Sequence, residues 1–90
     1  MLTVYSKKNC AYCDQAKELL TRRGVEFNEV KIDEDAAAKE FILKAGHRSV
    51  PQIYNGNKLF VSGGFMGLLS LKPADMELML ADTSKEEYAS

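Results

Sequence analysis

The chain of 90 residues predicts an α/β fold, a mixed four-stranded sheet flanked by helices in the order β-α-β-α-β-β-α. Three observations carry that expectation. Short runs rich in β-branched and aromatic residues alternate with longer stretches of helical periodicity, the pattern of β-α-β units. Asn55-Gly56 stands between two such short runs and signals a hairpin. Gly24 and Gly46 follow the two longest helical stretches, where a residue tolerant of left-handed backbone ends a helix.

Leu2 to Ser6 reads as the first strand. Ala11 to Arg23 is helical, with Cys13, Ala16, Leu19 and Leu20 on one face and Gly24 as the stop. Val25 to Ile32 is the second strand. Its apolar phase shifts between Val25/Phe27 and Val30/Ile32, which calls for a bulge or a late strand start. Asp33 is the expected N-cap of a second helix that buries Ala38, Phe41, Ile42 and Ala45 and ends at Gly46. Gln52-Ile53-Tyr54 and Lys58 to Val61 form the hairpin, and Gly63-Gly64 breaks it. Phe65, Leu68, Leu69 and Leu71 mark a third helix. Pro73 opens a last helical segment with Met76, Met79 and Leu80 as its apolar stripe. Two strands joined through a helix should be parallel with a right-handed crossover, and the last two antiparallel. The domain is expected to span residues 1–82, with a polar, frayed tail at 83–90.

Composition bounds the function. A chain of 90 residues, 46% hydrophobic and 28% charged, is one globular domain. No apolar run approaches the ~20 residues of a membrane helix. Met1 leads directly into Leu2-Thr3-Val4-Tyr5 without the layout of a signal peptide, so a cytoplasmic location is expected. A net charge of −1 points away from nucleic acid and anionic membranes as partners. Between Phe41 and Ala74 there is no Asp or Glu, whereas Lys44, Arg48, Lys58 and Lys72 lie there and Lys7 and Lys8 precede the cysteines. If the fold gathers these groups, they form a mildly positive surface for a small anion; otherwise they are solvated charges.

Cys10 and Cys13 are the only cysteines. A disulfide over so short a loop constrains little of the unfolded chain, so stapling does not explain the pair. The motif follows a strand and opens a helix, the context in which Cys-x-x-Cys reads as a redox centre. Helical spacing puts both sulfurs on one face. The helix N-terminus offers free N–H groups and partial positive charge, which stabilise a thiolate, and Lys7 or Lys8 would add to that. Cys10 lies nearest that end and is expected to be the nucleophile, within the ~3.5–7.5 pKa range of such sites, with Cys13 resolving the intermediate. Zinc would need two further ligands, and His47 is the only other soft donor. An inert core pair is the other alternative.

Val4-Tyr5-Ser6-Lys7-Lys8-Asn9-Cys10-Ala11-Tyr12-Cys13 resembles the opening of a small dithiol glutaredoxin of the bacterial or phage kind. Ser49-Val50-Pro51-Gln52-Ile53 is similar to that family's Thr-Val-Pro segment, and Gly63-Gly64-Phe65 to its Gly-Gly turn. The resemblance runs from about Leu2 to Leu71. It implies a thioredoxin-like fold, a cis Pro51 facing the cysteines, and a glutathione groove. In that groove Lys7 and Arg48 would lie near the glycine carboxylate, and the Val50 backbone would pair with the cysteinyl unit. Tyr12 would line the sulfur end, and Gly63-Gly64 would let a helix start approach the γ-glutamyl carboxylate. The implied activity is reduction of protein disulfides and glutathione mixed disulfides. Glutathione is then the co-substrate, ribonucleotide reductase one candidate acceptor, the protein a monomer, and no resident metal is expected.

Two departures stand out. Ala11 replaces the proline common in the dithiol motif, and some members lacking it hold a [2Fe–2S] cluster between two subunits, which is one alternative. Met66 and Gly67 stand where the family carries acids for the γ-glutamyl ammonium, so glutathione is expected to bind more weakly or through backbone groups. That leaves a second alternative, a glutaredoxin-like redoxin reduced by thioredoxin reductase. The third is a redox-inactive binding module, which has no need for both sulfurs.

Overall fold

Alternation along β1 (Leu2–Ser6) buries Leu2, Val4 and Ser6 on the face that meets the core, and pairing with a strand on either side places β1 inside the sheet. The computed structural model describes residues 1–80; the tail expected at 83–90 and the domain end drawn at residue 82 lie outside them. After β1 come α1 (Ala11–Arg22), β2 (Phe27–Lys31), α2 (Ala36–Lys44), β3 (Gln52–Asn55), β4 (Lys58–Leu59) and α3 (Gly64–Ser70). Residues 73–80 are helical.

The sheet order is β2-β1-β3-β4. β1 and β2 run parallel, with Leu2 opposite Phe27 and Ser6 opposite Lys31, while β3 is antiparallel to β1, Val4 facing Ile53. A two-residue turn of Gly56 and Asn57 joins β3 to β4 in an antiparallel pair, one residue later than the Asn55-Gly56 turn expected, because Asn55 still pairs with Lys58 as the last residue of β3. This is the thioredoxin-like arrangement that the resemblance implied. The phase shift at the second strand resolves as a late start. Gly24 takes a φ of +70°, the Val25 amide bonds the Leu20 carbonyl at 3.0 Å, and pairing begins only at Phe27.

Three details differ from the sequence expectation. The N-cap of α2 is Asp35, whose Oδ1 accepts from the Ala38 amide at 3.0 Å; Asp33 instead accepts from the Lys8 amide at 3.1 Å. Ala45 is exposed because it is the C-cap, one residue beyond the last turn that packs. β4 stops at Leu59; the Phe60 amide makes one more bond, to the Ile53 carbonyl at 2.8 Å, and the Phe60 and Val61 side chains enter the core.

One face of the sheet supplies Leu2, Val4 and Ile53 to a core shared with Ala16 and Leu20 of α1, Leu68 of α3 and Met76. Full burial of a leucine such as Leu20 contributes ~1.5–3 kcal/mol, which anchors α1 and its first turn to β1. The opposite face carries Tyr5 and Tyr54, which form a ring cluster with Phe41 of α2 at centroid distances of 5.1–5.7 Å. Polar pins complete the frame. Glu29 on β2 accepts from the Ser6 hydroxyl at 2.8 Å and pairs with Lys17 at 2.7 Å, and Lys17 also reaches Asp14 in the first turn of α1 at 3.4 Å. The Lys17 hydrogen bond, aided by that from Ser6, holds the Glu29 carboxyl below the usual carboxylate range, and the same contact raises Lys17.

Candidate functional site

The turn out of β1 brings the cysteines to the rim of the sheet. Asn9 takes a φ of +60°, a left-handed conformation that asparagine tolerates, and the chain then enters α1. Cys10 is the N-cap, with extended backbone, and its Sγ accepts from the Cys13 amide at 3.2 Å. A sulfur thus occupies the capping position usually held by serine or aspartate. Cys10 and Cys13 are joined as a disulfide, with Cα atoms 5.2 Å apart. Their surroundings differ. Cys13 is 1% exposed beneath α1, whereas Cys10 is partly exposed and its Sγ lies 3.8 Å from the Val50 carbonyl oxygen.

Val50 meets Cys10 from the segment that leads into β3. The Val50–Pro51 peptide is cis, as the resemblance implied. Gln52 donates through Nε2 to the Ser49 carbonyl at 2.9 Å and closes this segment on itself. Gly64 packs directly against it: at φ +58°, an added Cβ would stand 2.6 Å from the Pro51 carbonyl oxygen, so only glycine lets α3 begin here. Between these parts lies a groove of about 260 Å³ that brings together Tyr12, Val50, Pro51, Gly63 and Gly64. Tyr12 is 59% exposed and stacks on Phe65, centroids 6.0 Å apart. Ser49, Gln52, Phe65 and Met66 line the same groove without having been singled out as site residues. For Ser49 and Gln52 the signal was adjacency to Val50-Pro51; Phe65 read only as an apolar helix position.

Lys7 and Arg48 do not enter that groove. They line an adjoining pocket of about 170 Å³ that shares Ser49 and Val50 with it. The expected positive surface is therefore narrower than the run of basic residues suggested. Lys44 is paired with Glu40 at 2.7 Å, and Lys8, Lys58 and Lys72 line neither pocket. At the far end of the groove Met66 is 60% exposed. A side chain at position 67 would overlap the Ser62 carbonyl oxygen, so that position cannot carry an acid without moving the backbone.

His47, the other soft donor, is hydrogen-bonded through Nε2 to the Tyr54 hydroxyl at 2.7 Å. Among the described residues no three His, Cys, Asp or Glu side chains gather as a metal site, and no helix is long and apolar enough to cross a membrane.

Comparison with known proteins adds four findings. The family model described as Glutaredoxin matches residues 2–60. Glutaredoxin 3 of Escherichia coli (strain K12) is 46% identical over 52 residues, which are 57% of this chain and 63% of that protein, less than two thirds of its length. The glutaredoxin-like protein NrdH of Lactococcus lactis subsp. cremoris (strain MG1363) is 38% identical over 65 residues, 72% of this chain and 88% of that protein. Among solved structures, the buckwheat glutaredoxin–glutathione complex superposes with a TM-score of 0.71 at 27% identity, covering 90% of this chain and 76% of that one.

Proposed function

The chain belongs to the glutaredoxin family, and from that premise we propose that it is a glutathione-dependent thiol–disulfide oxidoreductase acting on protein disulfides and glutathione mixed disulfides through Cys10 and Cys13. The observation that carries this reading is the inequality of the two sulfurs: Cys13 is buried, while Cys10 is partly exposed at a helix N-cap beside the groove.

In the reduced protein the Cys13 amide and the partial positive charge of the first turn favour a thiolate on Cys10. That thiolate attacks one sulfur of the substrate disulfide. The substrate S–S bond breaks, one substrate thiol departs with a proton, and the other half stays bonded to Cys10. Cys13 then attacks the Cys10 sulfur, releases the second thiol and closes the Cys10–Cys13 disulfide, the oxidised state described above. One glutathione opens that bond to give a mixed disulfide on Cys10, and a second removes it as glutathione disulfide. Two electrons pass per cycle.

Several features support glutathione as the donor. The groove beside Cys10 is lined by Tyr12, Val50, Pro51 and Gly64. Val50 offers backbone groups to a cysteinyl unit in the manner of strand addition, and the cations of Lys7 and Arg48 adjoin it, suited to a glycyl carboxylate. The buckwheat protein, of the same fold, is a glutathione complex. Glutathionylated and disulfide-bonded proteins of the cytoplasm, ribonucleotide reductase among them, are the proposed acceptors. One observation favours a second reading, a redoxin served by thioredoxin reductase: Met66 and Gly67 offer no carboxylate to a γ-glutamyl ammonium.

The deciding measurement is NADPH-driven disulfide reduction with glutathione plus glutathione reductase, run beside thioredoxin reductase alone. Turnover with glutathione supports the proposal. Turnover only with thioredoxin reductase moves the protein to the second reading, and none with either overturns both.

A further inference from the structure

Glutathione does not account for the whole pocket beside Val50. Its glycine has no side chain, yet this pocket is lined by Ile32, Ile42 and Leu43 together with the cations of Lys7, Lys39 and Arg48. Ile42 is a core residue, and Leu43 beside it in the lining is 57% exposed and so open to a bound chain. No acidic residue lines the pocket. Lys7, Lys39 and Arg48 have no carboxylate partner among the described residues, while Lys17, Lys31, Lys44 and Arg22 all do. A lining of three apolar side chains and three cations without carboxylate partners is complementary to an apolar side chain followed by a carboxylate.

The direction of a bound chain selects what reaches it. With a glycyl carboxylate at Lys7 and Arg48, a substrate lying along Val50 runs from its cysteine toward this pocket. A tripeptide ends there. A protein continues, and its next residues meet Leu43, Ile42 and Lys39.

We propose that this pocket selects protein substrates by the two residues that follow the reactive cysteine, an apolar residue and then an acidic one. The proposal rests on the glutaredoxin reading for the attachment at Cys10 and adds a specificity subsite whose apolar lining the glycyl unit of glutathione, having no side chain, does not use. Leu43 and Lys39 are specificity-determining residues and take no part in the sulfur exchange.

The test uses the full chain with three symmetric peptide disulfides, identical except after the cysteine: leucine then glutamate, glycine then glycine, and leucine then lysine. Bis(hydroxyethyl) disulfide, too small to fill the pocket, reports the redox reading alone. The leucine–glutamate peptide should exceed both others by about tenfold in kcat/KM, equivalent to about 1.4 kcal/mol. In Leu43→Glu, a change at an exposed position, that advantage should fall below about twofold and the leucine–lysine peptide should gain. Equal kcat/KM for all three peptides, with the small disulfide turned over, overturns the subsite and leaves the redox reading intact. If the small disulfide is not reduced, the redox reading fails and NMR decides the pocket. A leucine–glutamate peptide with serine in place of cysteine should then shift the Ile42 and Leu43 signals of the full chain. No shift at millimolar peptide overturns the proposal.

Discussion

Replacing Gly64 with alanine measures how tightly α3 is set against the segment that carries Pro51. Two costs combine in Gly64→Ala. At φ +58° an L-residue occupies the left-handed region, which costs ~1–2 kcal/mol. The new Cβ also stands 2.6 Å from the Pro51 carbonyl oxygen, well inside the ~3.3–3.6 Å at which carbon and carbonyl oxygen meet. Pro51 is buried and followed at once by β3, so its carbonyl can retreat only by disturbing the sheet. Overpacking of this kind costs ~1–3 kcal/mol. The total, about 3 kcal/mol, corresponds to a fall in Tm of about 12–24 °C for a domain of this size. Gly24→Ala is the control, because Gly24 has a φ of +70° with nothing within 4 Å of an added Cβ. It bears only the backbone cost, about 1.5 kcal/mol or about 6–12 °C. Thermal unfolding followed by circular dichroism, with the disulfide state held constant, reads both. Equal shifts in the two variants would refute the close approach of Gly64 to Pro51.

Other expectations follow from the same geometry. Cys10→Ser should abolish all disulfide exchange, while Cys13→Ser should keep deglutathionylation of small mixed disulfides and lose dithiol reduction; full activity in Cys10→Ser would reverse the assignment of roles. Met66→Asp, at an exposed position on the groove, should lower the KM for glutathione about 1.5–5-fold, the range of an exposed ion pair. Gly67→Asp, which forces a side chain onto the Ser62 carbonyl, should lose stability, and a Gly67→Asp protein that binds glutathione better at unchanged Tm would contradict this. Stability should also carry the mark of Glu29, whose carboxyl Lys17 holds below its ordinary value. A depressed carboxylate stabilises fully above its unfolded pKa of ~4.3 and loses that contribution as pH falls through the lower folded value. Urea unfolding between about pH 5 and 2 should therefore weaken the natural protein more steeply than Glu29→Gln. Parallel pH curves would remove the ion pair from the account.

Signals that act within a few residues were legible along the chain. Cys10 and Cys13 stand at helical spacing beyond a strand, a hairpin forms at Gly56, one residue later than the Asn-Gly signal placed it, and the stop at Gly24 is where the periodicity of α1 ends. Each depends on local backbone geometry, which the residue types themselves restrict. The family resemblance depended on three such local segments in order, so it too could be read without a structure.

Competition between distant partners could not. Asp33 and Asp35 are equally good caps by residue type, and the Lys8 amide, arriving from the β1–α1 turn, engages Asp33 while Asp35 caps α2. Phe60 and Val61 have the pattern of a strand, but the core beneath β3 takes them, so β4 is short. The unequal burial of the two cysteines, the meeting of Val50, Pro51 and Gly64, and the grouping of Lys7, Lys39 and Arg48 with Leu43 all join segments far apart in sequence. The sequence by itself determined which atoms can do sulfur chemistry, because spacing and a helix start suffice for that. Only the tertiary structure decided which sulfur stays exposed beside Val50 and what surrounds it, because burial and pocket walls belong to no single segment.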